Sequence, residues 1–201
     1  TSQGRLRHTP VFVAAKELIR ATISAFRGLE GPGVEIGNRN QVLGLRMVGA
    51  AQAMEDGTGT ASDLVAACVA VLRAAGIPAR PVIGVDQAAT GVQRPVRTTY
   101  TVWGEFFLPG SGWVPFDPAM MRGTMAMHAT PERAWTGLGR LRDLNMRVPL
   151  AYAFHPDRQD AILLGFPGGW SFSGRDVGAA RYPWTFVIFT MITTPVGPGA
   201  N

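Results

Sequence analysis

Residues 57–80 read GTGTASDLVAACVAVLRAAGIPAR. From Leu64 to Leu72 this stretch is apolar on every side, which predicts a helix buried at the centre of the molecule. Gly76 can end the helix, and Pro78 prevents its continuation. The helix follows a Gly/Thr turn. Unpaired N–H groups and the helix dipole at such an end favour a thiolate and can stabilise an oxyanion. The single cysteine of the chain, Cys68, lies instead in the apolar middle of the run.

Upstream, HTPVFVAAKELIRATISAFRG (8–28) reads as a helix with Thr9 as N-cap, Pro10 at the first helical position and Gly28 past the end. EGPGVEIGNRN (30–40) is turn-rich. NQVLGLRMVGAAQAMEDG (40–57) reads as a second helix capped by Asn40, with Val42, Leu45, Met47, Val48 and Ala51 near helical spacing. Gly44 and Gly49 weaken that helix. Downstream the period changes to that of strands: ARPVIGVD (79–86), VRTTYTVWGEFFLP (96–109) and GWVPFDP (112–118), separated by turn residues. TPERAWTGLG (130–139) suggests a short helix opened by Thr130 and Pro131. VPLAYAF (148–154), DAILLGF (160–166) and WTFVIFTMITT (184–194) suggest further strands, and TTPVGPGAN (193–201) a frayed tail.

Composition narrows the classes. The 201 residues, 46% hydrophobic and 16% charged, suit a folded globule with a sizeable core. One cysteine excludes an internal disulfide framework and a zinc site built on several thiolates. The net charge of +5 is carried almost wholly by arginine, since Lys16 is the sole lysine. Arg5, Arg46, Arg97, Arg140 and Arg175 are scattered, so no nucleic-acid patch is visible. WTFVIFTMI (184–192) is far shorter than the roughly 20 residues of a membrane helix. GTGT lacks the lysine of a phosphate-binding loop, and there is no His-Glu-x-x-His metal motif. No cofactor or metal is expected, and no targeting segment is visible.

Two motifs together carry a resemblance. The text GTASDLVAACVAVLRAAGIPAR (59–80) resembles the nucleophile helix of the transglutaminase-like core domain, a branch of the papain-like cysteine-protease fold. In that family the helix reads approximately G-x-C-x-D-x-A-x-L-x-x-x-L-L-R-x-x-G-I-P-A-R. Leu72-Arg73 and Gly76 to Arg80 set the register, which puts Ala61 where the family has its cysteine. TVWGEFFLPGSGWVPFDPA (101–119) resembles the family's H-A-W-x-E and G-W-x-x-x-D-P-T motifs, with Trp103, Glu105, Gly112, Trp113, Asp117 and Pro118 in place and Thr101 in the histidine slot. The resemblance covers roughly residues 40 to 120. It implies an α+β fold, a central buried helix packed on an antiparallel β-sheet, with 1–201 as one domain whose N-terminal helical and C-terminal β-rich parts elaborate that core.

It also implies a triad reduced to Ala61, Thr101 and Asp117. Cys68 does not repair it: seven residues on from Ala61, it is about 10 Å further along the helix axis, in apolar packing. Ser62 or Thr60 would need a base, and His8, His128 and His155 lie in no recognisable base motif. Asp117 before a proline can instead satisfy backbone donors or pair with an arginine. Three readings result. The preferred one is a domain without the family's catalysis, binding or scaffolding a peptide or protein segment in the vestigial cleft, with Ser62, Trp103, Glu105 and Trp113 as binding candidates. The alternative is a thiol-dependent acyltransferase or amidase whose nucleophile at position 61 has been replaced experimentally. A third is anion or nucleic-acid binding through arginines. Oligomeric state and compartment are not encoded in any motif.

Overall fold

The computed structural model describes residues 9–36, 42–86, 99–124, 128–144 and 147–152. The chain forms α1 (Val11–Ala25), β1 (Gly28–Leu29), β2 (Val34–Ile36), β3 (Val42–Leu45), α2 (Ala50–Asp56), β4 (Thr58–Gly59), α3 (Ala61–Ala74), β5 (Ala79–Asp86), β6 (Thr99–Leu108), β7 (Gly112–Phe116), α4 (Pro118–Gly123), α5 (Leu141–Leu144) and β8 (Arg147–Ala151). The principal sheet has the order β7-β6-β5-β8 and is antiparallel throughout. Two small sheets, parallel β1–β4 and antiparallel β2–β3, flank the start of α3. The fold is α+β, with a buried central helix on an antiparallel sheet.

Strand alternation gives the sheet two unlike faces. Ala79, Ile83, Val102, Phe106 and Phe116 point to one face and share a core with Ile19 and Ile23 of α1 and Leu64, Val65, Cys68 and Leu72 of α3. Arg80, Val82, Trp103, Glu105, Phe107 and Trp113 occupy the other face. α3 ends as its sequence foretells. Gly76 adopts φ +81°, and the Ile77 N–H returns to the Leu72 carbonyl at 2.9 Å.

Several local expectations are corrected. Pro10, not Thr9, is the N-cap of α1, with no side-chain cap bond, and Gly28 enters β1. The proline's extended backbone (ψ 136°) holds it outside the helix while its carbonyl accepts the Ala14 N–H. The second helix shrinks to Ala50–Asp56, because Val42–Leu45 pairs with β2 and the Asp63 carboxylate fixes the Val48 and Gly49 N–H groups ahead of it. The expected cap Asn40 lies outside the described residues. Residues 130–139 form turns rather than a helix. The buried ammonium of Lys16 donates to the Pro131 and Arg133 carbonyls at 2.6 Å each, and Trp135 is buried beside it. Carbonyls held by a tertiary donor are withdrawn from the i→i+4 ladder of a helix. The strands expected at 160–166 and 184–194 and the tail at 193–201 lie outside the described residues.

Candidate functional site

The start of α3 is closed by its own chain. Thr60 and Asp63 form a reciprocal capping box: the Thr60 N–H donates to Asp63 Oδ2 at 2.9 Å, and the Asp63 N–H donates to Thr60 Oγ1 at 3.3 Å. Asp63 Oδ1 accepts the Val48 and Gly49 N–H groups, each at 2.9 Å. Residues 31–33 cross over the helix end as a strap. The Ala61 N–H donates to the Gly31 carbonyl at 2.9 Å, and the Ser62 hydroxyl to the Pro32 carbonyl at 3.3 Å. A Cβ on Gly33 would lie 2.5 Å from Thr60 Oγ1 and 2.6 Å from Ser62 Oγ, so only glycine fits there. The N–H groups of Thr60, Ala61 and Asp63 at this helix end therefore have partners, against the expectation of unpaired donors at these three positions.

Thr101, Trp103 and Glu105 share the sheet face that points away from α3, whereas Ala61 belongs to the core on the other side. Thr101 is half-buried opposite Gly84, and Trp103 is 3% exposed. A Cβ on Gly84 would meet the Trp103 ring at 2.4 Å and the Val148 carbonyl at 2.3 Å, so the absence of a side chain there lets the indole lie flat on β5. Asp117, just past β7, is buried and engaged twice. Its Oδ1 accepts the Met120 N–H at 2.8 Å as N-cap of α4, and its Oδ2 lies 2.7 Å from Arg147 Nη1. Arg147 Nε bonds Asp86 Oδ2 at 3.1 Å, and the guanidinium lies over the Trp103 ring at 5.7 Å. The carboxylate that the family resemblance marks for a triad is thus held by a backbone cap and an arginine.

Farther along the same face, Arg80 is ion-paired with Glu105 at 2.7 Å and stacked between two aromatic rings, Trp113 at 4.0 Å and Tyr152 at 3.9 Å. Phe107 meets Trp113 edge-on at 5.6 Å. Phe107, Trp113 and Tyr152 are all exposed, so this face carries an aromatic stripe threaded by one guanidinium. Ser62, by contrast, is wholly buried. The sequence reading missed Arg80, Tyr152 and Arg147. Arg80 closes the quoted GIPAR motif, which gave a signal for it; nothing local marks the other two.

The remaining nucleophile and base candidates are placed as follows. Cys68 is fully buried, and desolvation pushes its thiol far above the usual range. His128 is exposed, while His8 and His155 lie outside the described residues. No group of three or more His, Cys, Asp or Glu among the described residues could hold a metal ion. No helix among them is long and apolar enough to cross a membrane.

No curated protein matches the chain. A solved structure, that of a putative cysteine protease from Cytophaga hutchinsonii, aligns at 15% identity over 72% of this chain and 48% of that one, with a TM-score of 0.34. The chain thus spans about half the length of that protein. Residues 36–118, which contain β3, α2, α3 and β5 to β7, match the family described as the transglutaminase-like superfamily.

Proposed function

We propose that this is a transglutaminase-like domain that binds or scaffolds and does not catalyse acyl transfer. The observation that carries the reading is the engagement of Asp117 by Arg147 and by the α4 cap, which turns both carboxylate oxygens to partners other than an imidazole. Two further features agree with it. Position 61 offers a methyl group whose own N–H is bonded to Gly31, and the histidine slot holds Thr101. A thiolate route needs a nucleophile, a base and an oxyanion donor together. The natural contact surface for an extended peptide or protein segment is the aromatic stripe around Trp113 and the Arg80–Glu105 pair. Trp103 is buried on the same face and supports that surface from within, whereas Ser62 is buried beneath the 31–33 strap at the start of α3.

The test is direct. Incubated with an acyl-donor amide and an amine, the protein is expected to form no more product than a heat-treated control. An Ala61→Cys variant is expected to behave the same way, because a thiol alone lacks a base. Turnover by the unmodified chain that disappears on changing Ser62 or Asp117 would overturn the proposal. Turnover by Ala61→Cys would restore the thiol-enzyme alternative.

A further inference from the structure

Among the described residues the principal sheet ends in β7 on one side and β8 on the other, separated by β6 and β5. In a flat sheet their axes would be about 14 Å apart, with side chains standing perpendicular to the sheet. Arg147 at the start of β8 nevertheless reaches Asp117, one residue past β7, at 2.7 Å. Tyr152, just past β8, reaches Arg80 on β5, which in turn reaches Trp113 on β7. The sheet is therefore curled so that its edges approach across the face carrying Trp103 and Val82, both nearly inaccessible to solvent although they lie outside the helix-covered core.

We infer that the Asp86–Arg147–Asp117 bridge is a releasable clasp that holds β8 against β5 and keeps the Trp103 face closed. β8 is the part that yields because, unlike β7, which is equally short and also contains a proline, it pairs with a register shift. It is five residues long, contains Pro149, and its register with β5 shifts between Ile83 and Gly84, so its ladder is short and irregular. Its link to Asp117 rests on charge more than on direction: Nη1 is buried and close, yet makes no hydrogen bond of good geometry among the described residues. A buried ion pair of that kind gains little net stability, because desolvation offsets most of its attraction, but breaking one partner leaves a buried charge. Release would uncover the edge of β5 together with Trp103. The inference does not depend on whether the domain is catalytic.

Hydrogen exchange on the whole chain tests the clasp. Asp117→Asn is the cleanest perturbation, because asparagine still accepts the Met120 N–H as a helix cap while the charge facing Arg147 is removed. Arg147→Met removes the other partner. Both variants are expected to speed exchange of the amides in 83–86 and 147–151 at least tenfold, with α3 amides from 64 to 72 changed less than twofold. Unchanged exchange in β5 and β8 would show that the bridge holds nothing. Equal acceleration of α3 would show that it is a general stabiliser and not a local clasp. Either result overturns the inference, and neither bears on the acyl-transfer assay.

Discussion

Replacing Asp63 by alanine tests how the start of α3 is held. The carboxylate is 1% exposed and accepts three backbone N–H groups at 2.9 Å, those of Val48, Gly49 and Thr60. The Thr60 hydroxyl also lies 2.9 Å from it. That hydroxyl has one proton and a second acceptor, the Arg46 carbonyl at 3.1 Å, so it keeps a partner in the variant. The Thr60 N–H does not: it is buried, and an unsatisfied buried donor costs about 1–3 kcal/mol. Val48 is exposed, so water can reach its N–H and that of Gly49, and those two losses cost about 0.5–1 kcal/mol each. Removing an anion from the first helical turn adds roughly 0.3–1 kcal/mol. The sum is about 2–6 kcal/mol, which for a chain of this size lowers Tm by about 5–24 °C. Asp63→Asn keeps one acceptor oxygen but turns an NH2 group toward the other donors, so its loss should exceed half that of alanine. Thermal and urea unfolding of the whole chain measure both. A Tm change below about 2 °C for Asp63→Ala would refute the claim that this carboxylate joins the 46–49 loop to the helix.

Three further outcomes are expected. Cys68 should not react with a disulfide-exchange reagent in the native protein and should react fully in guanidinium; native labelling at the rate of a free thiol would contradict its burial. Burial pushes the Lys16 ammonium below its ordinary value of 10.5, with Glu132 pulling the other way. The folded state therefore binds fewer protons than the unfolded state between the lowered pKa and 10.5, and stability rises with pH in that window. The Tm of the wild type should accordingly gain on that of Lys16→Met as pH approaches 10.5, and a falling difference would reverse the assignment. Gly31→Ala and Gly33→Ala both place alanine at positive φ, but only the second drives a Cβ into Thr60 and Ser62. Gly33→Ala should lower Tm clearly further than Gly31→Ala; equal losses would mean that the strap is not packed on the helix.

What could be read in advance follows the range of the forces involved. α3 was legible because its signals are local: apolar residues all round, a Gly/Thr turn before it, and a glycine and a proline at the end. β5 matches the strand read at 79–86 for the same reason, its alternation lying between turn residues. Val42–Leu45 misled because four residues containing a glycine fit helical spacing as well as strand spacing, and only pairing with β2 decides between them. The turns at 130–136 depend on Lys16, which stands 115 positions from Pro131, and no window of sequence contains both. At the site, an arginine partner for Asp117 was foreseeable in kind but not in identity. Arg147 reaches it only because the sheet curls, and curl is a property of four paired strands rather than of any one of them.

Scattered basic residues left anion binding open in the sequence, yet four arginines among the described residues donate to main-chain carbonyls. Arg122 donates to the Ile23, Phe26 and Arg27 carbonyls at the end of α1, where a helix leaves carbonyls without partners. Arg27 donates to the Asp56 carbonyl, Arg46 to that of Glu30, and Arg73 to that of Ala79. The planar fork with its five donors suits this work, since one side chain can satisfy several fixed oxygens at once, whereas an ammonium is a point donor. The sole lysine is itself buried between carbonyls and rings. A guanidinium already bonded to a carbonyl must give up that bond before it can grip a phosphate, so charge committed to closing the fold contributes less to recognition than its count suggests. The stripe of Phe107, Trp113 and Tyr152 carries no such commitment on its outer side, and its one cation, Arg80, is neutralised by Glu105. An uncharged, extended apolar segment therefore suits this face better than a polyanion does.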